Sequence, residues 1–321
     1  MIHVLFWLAA TLPFANANLQ SQSAAAGLEP VFRALVSHQS EAAWIAWSVP
    51  AVRGPRLGCE FVSGEGQVSA GVVHLEPPDH AIVLVRVAAN AVERIRLLSP
   101  DCEIDAGGVS VHWLTDVSPA QSIALLAGYV NARNLSENSA VAAIAIHADP
   151  AADAVLDGFA ATSQPEALRN RAMRWLGSAR GRHGLDTLKK LLASETAPDM
   201  RRRAIAAVGV SREPEAQTLI LSAARGDRDA RVRAEAVSQL SRERLPNLAG
   251  VLGGIAENDP DSGVSKRAVS SLASLSDGSG VPELIRLARS SKNPDVRKEA
   301  VRALGRAHDQ RAEAFLEEVL R

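Results

Sequence analysis

The chain of 321 residues has a mean hydropathy of zero, with 47% hydrophobic and 22% charged residues. This composition excludes a disordered chain, a collagen-like chain and a polytopic membrane protein. The formal net charge is −1, from 35 basic and 36 acidic residues, so overall charge does not favour nucleic acid as a partner. Alanine supplies 56 of the 321 residues and aromatic residues only 4%, a balance that favours closely packed helices.

The N-terminal segment, residues 1–17, has the pattern of a secretory signal peptide. An apolar run over residues 4–14 precedes the A-x-A site Ala15-Asn16-Ala17, which predicts cleavage after Ala17. No Lys or Arg precedes the run, which leaves a buried N-terminal helix or strand as the alternative. The run is shorter than the roughly 20 residues that span a bilayer. We therefore expect a periplasmic or secreted protein with no membrane insertion after cleavage.

The two cysteines, Cys59 and Cys102, both lie in the N-terminal part of the chain. In an exported protein an even number of cysteines indicates a disulfide. It would stabilise the fold by about 3–4 kcal/mol on the chain-entropy model. Two unpaired buried thiols are the alternative. The sequence contains no C-x-x-C motif, so it gives no support for a redox dithiol or a structural zinc site.

Residues 18–138 are expected to form a small α+β domain with a mostly antiparallel sheet. Turn signals and apolar/polar alternation predict a helix near each end, at residues 24–37 and 119–130. The predicted strands between them are residues 44–49, 68–75, 81–88, 92–98 and 109–114.

Two groups of residues in this domain are candidates for a ligand site. Trp44, Trp47 and Trp113 could line one, although such residues more often form the core of a small sheet domain. Asp105, His112 and Trp113 mark the centre of the alternative function, a metal-binding or small-ligand-binding protein or an enzyme.

Asp101, Glu103 and Asp105 have the spacing of a calcium loop. The glycine of such a loop falls one position late here, and His112 stands where the loop needs Glu. The sequence also contains no G-x-S-x-G, P-loop or G-x-G-x-x-G motif. No metal ligand, catalytic residue or cofactor is therefore assigned.

The C-terminal part of the chain is built from a repeated sequence unit. Its most regular column is alanine, at Ala140, Ala172, Ala204, Ala236, Ala268 and Ala300, which sets a constant period of 32. Each unit has two blocks of apolar residues at helical spacing, separated by a turn rich in Gly, Pro and Asp, and one column is always Gly, Ala or Ser. Six units in register predict an α-solenoid of helix–turn–helix repeats over residues 139–321, because stacked units bury the apolar faces that one unit cannot.

The last unit shows the pattern most clearly, at residues 295–297, 300–301 and 303–305. It resembles the D-V-R-x-x-A-V-x-A-L-G pattern of HEAT repeats, in the short variety of phycobilin-lyase-like proteins, and residues 99–108 are similar to segments of exported bacterial HEAT-repeat proteins. The resemblance implies an interaction scaffold. The di-iron branch of the family uses His-Glu dipeptides, which this sequence lacks, and no bilin-lyase motif is present, so neither activity is expected.

One column of the repeat is basic. It consists of Arg169, Arg201, Arg233 and Arg297, with Ser265 in the fourth place. We interpret this column as a structural ladder in which each Arg pairs with a turn carboxylate such as Asp295 or Asp199. A basic stripe that binds an acidic partner is the alternative.

The sequence predicts an exported protein–protein interaction scaffold with no catalysis and with an unknown protein partner in the cell envelope. The candidate partner-binding residues are Lys189, Lys190, Arg286 and Arg289. Residues 18–138 carry a net charge of −5 (7 basic, 12 acidic), and residues 139–321 carry +4 (28 basic, 24 acidic). Docking of the acidic domain on the array is one interpretation of this contrast, and drift in surface composition is the other.

Overall fold

The computed structural model of the protein describes residues 14–15, 17–53, 57, 59, 79–130, 139–243 and 245–320. The chain divides into two compact units, Met1–Leu168 and Arg169–Arg321. The strand predicted at 68–75 lies outside the described residues, as do residues 1–13 and 16 of the predicted signal peptide. The predicted domain boundary at 138/139 adjoins residues 131–138, which are also outside the described part, and stays a prediction.

The first unit contains a mixed five-stranded sheet. The strands of this unit, among its described residues, are β1 (Phe14–Ala15), β2 (Asn18–Ser23), β3 (Ala43–Pro50), β4 (His80–Ala88), β5 (Ala91–Leu98), β6 (Ile104–Asp105) and β7 (Ser110–Thr115). The sheet order is β2-β7-β3-β4-β5, and β1 pairs with β6 separately. The longest strands, β3, β4 and β5, are antiparallel, whereas β7 is parallel to both β2 and β3.

The predicted strands at 44–49, 81–88, 92–98 and 109–114 are confirmed as β3, β4, β5 and β7. Strand β2 is not predicted by the sequence. All six of its residues are exposed at the sheet edge, so its sequence NLQSQS shows no apolar/polar alternation.

Helices cover one face of this sheet. The helices of the first unit are α1 (Leu28–His38), α2 (Pro119–Gly128), α3 (Ala140–Ile146) and α4 (Ala151–Ala160). The ring of Phe32 on α1 meets the ring of Trp47 on β3 edge-on, with 6.2 Å between centroids. The helices predicted at 24–37 and 119–130 are confirmed as α1 and α2, with ends that differ by at most four residues.

The opposite face of the sheet carries a second apolar cluster, which we call the outer-face cluster. Its buried members are Ala46, Ile82, Leu84, Leu98, Cys102, Ala106, Val111 and Trp113. Cys102 is joined to Cys59 by a disulfide, with 5.3 Å between the Cα atoms, so the predicted cross-link is confirmed. Phe14, Ala17, Trp44 and Ile104 pack against this cluster and are partly buried.

Helix pairs make up the rest of the described chain. The remaining helices are α5 (Glu166–Ala179), α6 (Gly181–Ser194), α7 (Pro198–Val208), α8 (Glu215–Gly226), α9 (Ala230–Leu240), α10 (Leu248–Asn258), α11 (Ser262–Ala273), α12 (Gly280–Ser290), α13 (Pro294–Leu304) and α14 (Gln310–Leu320). The pairs α3/α4 to α13/α14 are the six predicted repeats, and the solenoid is confirmed.

The turn residues between repeats start the first helix of a pair. Asp229, Asp261 and Asn293 each accept a hydrogen bond from a backbone N–H in the first turn of α9, α11 and α13. Such side-chain caps satisfy donors that have no partner inside the helix. The Asp and Asn residues of the turns therefore set where each repeat begins.

The small-residue column lets the first helices of successive pairs approach closely. A Cβ added to Gly177 on α5 would lie 2.0 Å from the main-chain oxygen of Ala207 on α7. The alanines of the regular column, Ala172, Ala204, Ala236, Ala268 and Ala300, are all buried. Gly177 therefore has no room for a side chain, and the buried alanines of the regular column account for part of the alanine excess of the sequence.

We predict that Gly177→Ala destabilises the second unit by about 1–3 kcal/mol, because α5 and α7 must move apart to admit the methyl group. Chemical denaturation measures the loss. Gly254→Ala on α10 is the matched control, since its added Cβ meets nothing within 4 Å. It should stabilise by about 0.5–1 kcal/mol through helix propensity. Equal effects at the two sites would contradict the steric explanation.

Candidate functional site

Buried ion pairs join the first helix of a repeat to the end of its second helix. In each pair the two residues are 26 apart in sequence, and both side chains are at most 10% exposed. The pairs are Arg169–Glu195, Arg201–Asp227 and Arg233–Asp259. Nε and Nη2 of Arg233 lie 2.7 and 2.9 Å from the two carboxylate oxygens of Asp259, a bidentate geometry. We call these residues, with Arg297, the repeat ladder.

The carboxylates of the ladder also hold the start of the following repeat. Oδ1 of Asp227 accepts a hydrogen bond from the backbone N–H of Asp229 at 2.9 Å, and Oδ1 of Asp259 does the same for Asp261. The main-chain oxygen of Asp227 accepts from Nη1 of Arg233 at 2.8 Å. Asp227 therefore links the arginines of two successive repeats.

The repeat formed by α11 and α12 lacks both members of the pair. Ser265 stands in the arginine column and Ser291 in the carboxylate column, and each is 1% exposed. Ser265 Oγ donates to the main-chain oxygen of Asp259 at 3.4 Å, and Arg297 Nη1 donates to that of Ser291 at 2.7 Å. Cation and carboxylate are replaced together, so neither charge is buried without the other.

Three of the four arginines in the column pair with carboxylates, but with different ones from those expected. Asp199 lies 3.3 Å from the exposed Arg231, and the backbone N–H of Asp295 bonds to Oδ1 of Asn293. The ladder carboxylates instead lie directly after the C-terminal ends of the second helices α6, α8 and α10. The sequence does carry a signal for them, because they recur once per repeat at Glu195, Asp227 and Asp259, with Ser291 next.

Ionisation of the ladder follows from its contacts. Burial acts to raise the pKa of Glu195, but the hydrogen bonds from Arg169 and from the backbone of Ala197 outweigh it, and the pKa lies below its ordinary value. The hydrogen bond to Asp259 raises the pKa of Arg233 above its ordinary value. Glu195 and Arg233 are therefore charged at neutral pH.

Two of the four candidate partner-binding residues are accessible cations. Lys189 and Lys190 are exposed on α6, and neither forms an ion pair with a described residue. A lysine ammonium in this setting is free to meet a carboxylate of another molecule.

The other two candidates are held within the second unit. Arg286 on α12 lies 2.8 Å from Glu283 and 3.2 Å from Glu257 on α10. Arg289 lies 2.6 Å from Glu318 on α14. These arginines bridge neighbouring second helices, so a partner would have to compete for them.

A cavity of about 450 Å³ lies where α8 and α10 end. Gly250 and Gly254 line the cavity and leave space because they have no side chains. Val251 and Ile255 form an apolar part of its wall. By the repeat register, Gly254 occupies the position that Lys190 holds two repeats earlier and Arg286 one repeat later. The cavity therefore belongs to the same row of second-helix positions as two of the candidate residues.

The structure does not bring the N-terminal candidates into one site. Trp113 belongs to the outer-face cluster, whereas the adjacent His112 points to the other face of β7, with Nε2 3.3 Å from Oε1 of Gln39. Burial lowers the pKa of His112. Asp105 is exposed and accepts a hydrogen bond from the backbone of Gly107 at 2.8 Å.

The three tryptophans also divide between the two faces of the sheet. Trp47 is buried against the helices, and Trp44 lies on the other face between Arg86 and Arg96, whose guanidinium carbons are 5.8 and 5.7 Å from its ring centroid. Burial lowers the pKa of Arg96 to about 10. These rings are parts of the sheet packing and line no common pocket among the described residues.

A serine–histidine pair lies in the core of the first unit. His147 Nδ1 faces the main-chain oxygen of Ala143 at 2.6 Å and therefore carries the proton, so Nε2 accepts from Ser122 Oγ at 2.9 Å. Trp47 Nε1 donates to the same Oγ at 2.8 Å. Ser122 and His147 are both 0% exposed. The pair is a structural bond between α2 and the residue after α3.

Within the described ranges no three His, Cys, Asp or Glu side chains are grouped to hold a metal ion. Within the same ranges no helix is long and apolar enough to cross a membrane.

We predict that Arg233→Ser lowers the free energy of unfolding by about 3–5 kcal/mol, because it leaves the carboxylate of Asp259 buried without its cation. The double variant Arg233→Ser/Asp259→Ser reproduces the arrangement of Ser265 and Ser291 and should recover most of that loss. Denaturant unfolding of the parent, both single variants and the double variant gives the coupling energy. Additive losses would contradict a coupled ladder.

The repeats match a known family. Residues 152–241 and 250–321, just over half of the chain, match the model of HEAT repeats. A comparison with curated proteins gives no match.

Several solved structures are similar to part of the chain. They include Kap95p with RanGDP (17% identity, 63% of this chain and 34% of that chain, TM-score 0.39) and human deoxyhypusine hydroxylase (17%, 64% and 74%, 0.28). The CpcE–CpcF complex of phycocyanin lyase from Nostoc sp. PCC7120 is another (15%, 64% and 88%, 0.31). The chain thus spans about a third of the length of Kap95p. With six helix pairs and a matching repeat model over just over half of its length, the chain belongs to the HEAT repeat family.

Proposed function

We propose that this protein is an exported scaffold that binds a protein partner in the cell envelope through the second-helix layer of its repeats. Stacked HEAT repeats support a protein-interaction solenoid. The observation that carries the proposal is the cavity of about 450 Å³ between α8 and α10, in the layer that also exposes Lys189 and Lys190. The proposed function is binding, without a catalytic step.

The chemistry of this layer favours a partner segment with both acidic and apolar side chains. Lys189 and Lys190 on α6 offer ammonium groups that form no ion pair with a described residue. Val251 and Ile255 give the cavity an apolar wall that a large apolar side chain can fill. Rigid helices hold both features, so little ordering is needed on binding.

Export is part of the same proposal. Cleavage after Ala17 would leave Asn18, the first residue of β2, at the new N terminus, so the five-stranded sheet would keep all its strands. The disulfide between Cys59 and Cys102 suits an oxidising compartment.

We predict that Lys189→Glu/Lys190→Glu weakens capture of the envelope partner about tenfold or more, since like charges replace attraction at the acidic segment. Crosslinking and affinity capture from the cell envelope, quantified by mass spectrometry, measures the effect. The melting temperature should stay unchanged, because both side chains are exposed.

The matched control is Lys266→Glu/Lys298→Glu, which reverses two exposed cations on the first helices α11 and α13. Capture should be unaffected by this change, and equal losses in the two double variants would contradict the assignment to the second-helix layer. Reversal at Arg286 or Arg289 is a poorer test, because it also breaks their ion pairs with Glu257 and Glu318.

We also predict that Gly254→Leu abolishes capture while preserving the fold. The added side chain occupies the cavity, and the Cβ meets nothing within 4 Å. Helix α10 gains propensity from the change, by roughly 0.5–1 kcal/mol. Gly254→Ala is the control, and full capture by the Leu variant would exclude the cavity as part of the binding site.

A further inference from the structure

A second row of ion pairs joins neighbouring second helices of the repeats at the surface. Glu257 on α10 lies 3.2 Å from Arg286 on α12, and Arg289 on α12 lies 2.6 Å from Glu318 on α14. In both pairs the two residues are 29 apart in sequence, and every side chain is at least 27% exposed. We call these positions the surface row, which is distinct from the buried repeat ladder.

One junction of the surface row carries a cation without its carboxylate. The row's positions hold Ala193 and Ser222 between α6 and α8, where neither residue is charged, and Arg225 and Gly254 between α8 and α10. Arg225 is exposed in the last turn of α8 and forms no ion pair with a described residue. Of the four junctions from α6 to α14, that between α8 and α10 is therefore the one with a single charge.

The same junction has space for the missing side chain. Arg225 and Gly254 both line the cavity of about 450 Å³, and a Cβ added to Gly254 meets nothing within 4 Å. In the two complete junctions the position of Gly254 carries a long side chain, Arg286 or Glu318. The cavity therefore includes the place where a carboxylate partner of Arg225 would lie.

The other charges that line the cavity are already paired. Asp227 forms its ion pair with Arg201, and Asp259 holds Arg233 in the bidentate pair of the repeat ladder. Among the described residues that line the cavity, Arg225 is the charged group that remains available. An incoming carboxylate would therefore meet an unpaired cation, while the lining carboxylates are neutralised by their own arginines.

The unpaired cations of the second-helix layer lie on neighbouring helices. Lys189 and Lys190 are on α6 and Arg225 is on α8, whereas the other Lys and Arg residues in the described parts of α6, α8, α10 and α12 are held in ion pairs. One acidic segment that crosses from α6 to the cavity beside α10 meets all three cations. This charge complementarity favours a segment of a partner protein over a small ligand.

We propose that a glutamate side chain of the partner protein completes the junction between α8 and α10. Its carboxylate pairs with Arg225 in the place that Gly254 leaves open, and an adjacent large apolar side chain of the partner fills the cavity against its apolar wall. Glutamate is the acid of both complete pairs, at Glu257 and Glu318. The inference rests on the proposed function and deepens it, because it makes Arg225 the residue that selects the partner segment at the same cavity.

The test screens a displayed library of random peptides against the full chain. Peptides that also bind the Gly254→Leu protein, whose cavity is filled, are removed. We expect the remaining sequences to combine Glu with a large apolar residue. A synthetic peptide of this kind should bind the parent protein with a Kd below about 1 mM by calorimetry. It should bind the Arg225→Glu protein about tenfold more weakly or worse, because repulsion replaces the ion pair.

Charge reversal on both sides gives a sharper measurement. The same peptide with Lys in place of its Glu should bind the Arg225→Glu protein more tightly than the parent, since both polarities occur in the complete pairs of the surface row. Arg228→Glu is the matched control, because Arg228 is exposed, lies outside the cavity lining and donates one hydrogen bond of 3.4 Å to Thr196. This control should change the affinity of either peptide by less than about twofold.

A measurement without any ligand tests the placement of the carboxylate. Gly254→Glu should complete the ion pair within the chain. Arg225→Ala should then lower the melting temperature about 1–2 °C more in the Gly254→Glu protein than in the Gly254→Gln protein, because an exposed pair contributes modestly. Equal shifts in the two proteins would contradict a carboxylate site beside Arg225.

Equal affinity of the Glu peptide for the parent and Arg225→Glu proteins would overturn the inference, and so would equal losses in the Arg225→Glu and Arg228→Glu proteins. Enriched peptides without an acidic residue, or no enrichment over the Gly254→Leu protein, would overturn it as well. The proposed function fails separately. If the Arg225→Glu protein captures the envelope partner fully while the Lys189→Glu/Lys190→Glu protein does not, the scaffold function stands and this contact is excluded.

Discussion

The close approach of successive first helices is the constraint on which the repeat array depends. At Gly177 there is no room for a Cβ beside the main-chain oxygen of Ala207, so backbone contact sets the spacing of α5 and α7. First helices held this close put their basic residues within reach of the turns, where the ladder forms. The second helices are less tightly joined, and between α8 and α10 the glycines leave a cavity. The layer of first helices is therefore densely packed, whereas the layer of second helices contains a cavity.

Where the ladder is complete, it fixes the length of the repeat. Arg233 reaches the carboxylate of Asp259, 26 residues ahead, and the carbonyl of Asp227, 6 residues behind. These two partners occupy the same position in adjacent repeats, so both bonds form only if that position recurs at one fixed interval. An inserted residue would leave a buried charge without its partner, which costs far more than losing both. The repeat with Ser265 and Ser291 shows that the pair can be removed whole, and the register is then kept by packing alone.

Much of the solenoid could be predicted because each repeat gives independent evidence for the same register. Ala204 is weak evidence alone, but the same residue at Ala172, Ala236 and Ala268 makes the register certain. The hairpin of β4 and β5 was predictable from alternation, while β2 was not, because an exposed edge strand has no buried face to mark it. The partners of the Arg column were missed for a physical reason. Sequence proximity favoured Asp199 and Asp295, whereas the real partners lie across a helix pair, 26 residues away.

Two kinds of feature could not be predicted from the sequence: a cavity lined by glycines and the pairing of strands that are distant in sequence. The cavity exists because Gly250 and Gly254 fall beside the end of α8, and only the packed repeats show that alignment. Likewise the apolar run before Ala17 predicts a signal segment, but the pairing of Phe14 and Ala15 with β6 depends on tertiary structure, which no periodicity reveals.

The first repeat follows the repeat pattern in sequence, but its first helix packs differently from those of the other repeats. Helix α3 carries the repeat pattern, yet six of its seven residues, AVAAIAI, are buried, as expected for a helix that is apolar all round. Its burial comes from the sheet. His147 binds Ser122 of α2, and backbone hydrogen bonds join Ile146 and Ala148 to the end of β3 at Val52 and Pro50. A terminal repeat usually needs a polar outer face. Here the sheet replaces that face, and the α+β fold and the first helix pair belong to one compact unit.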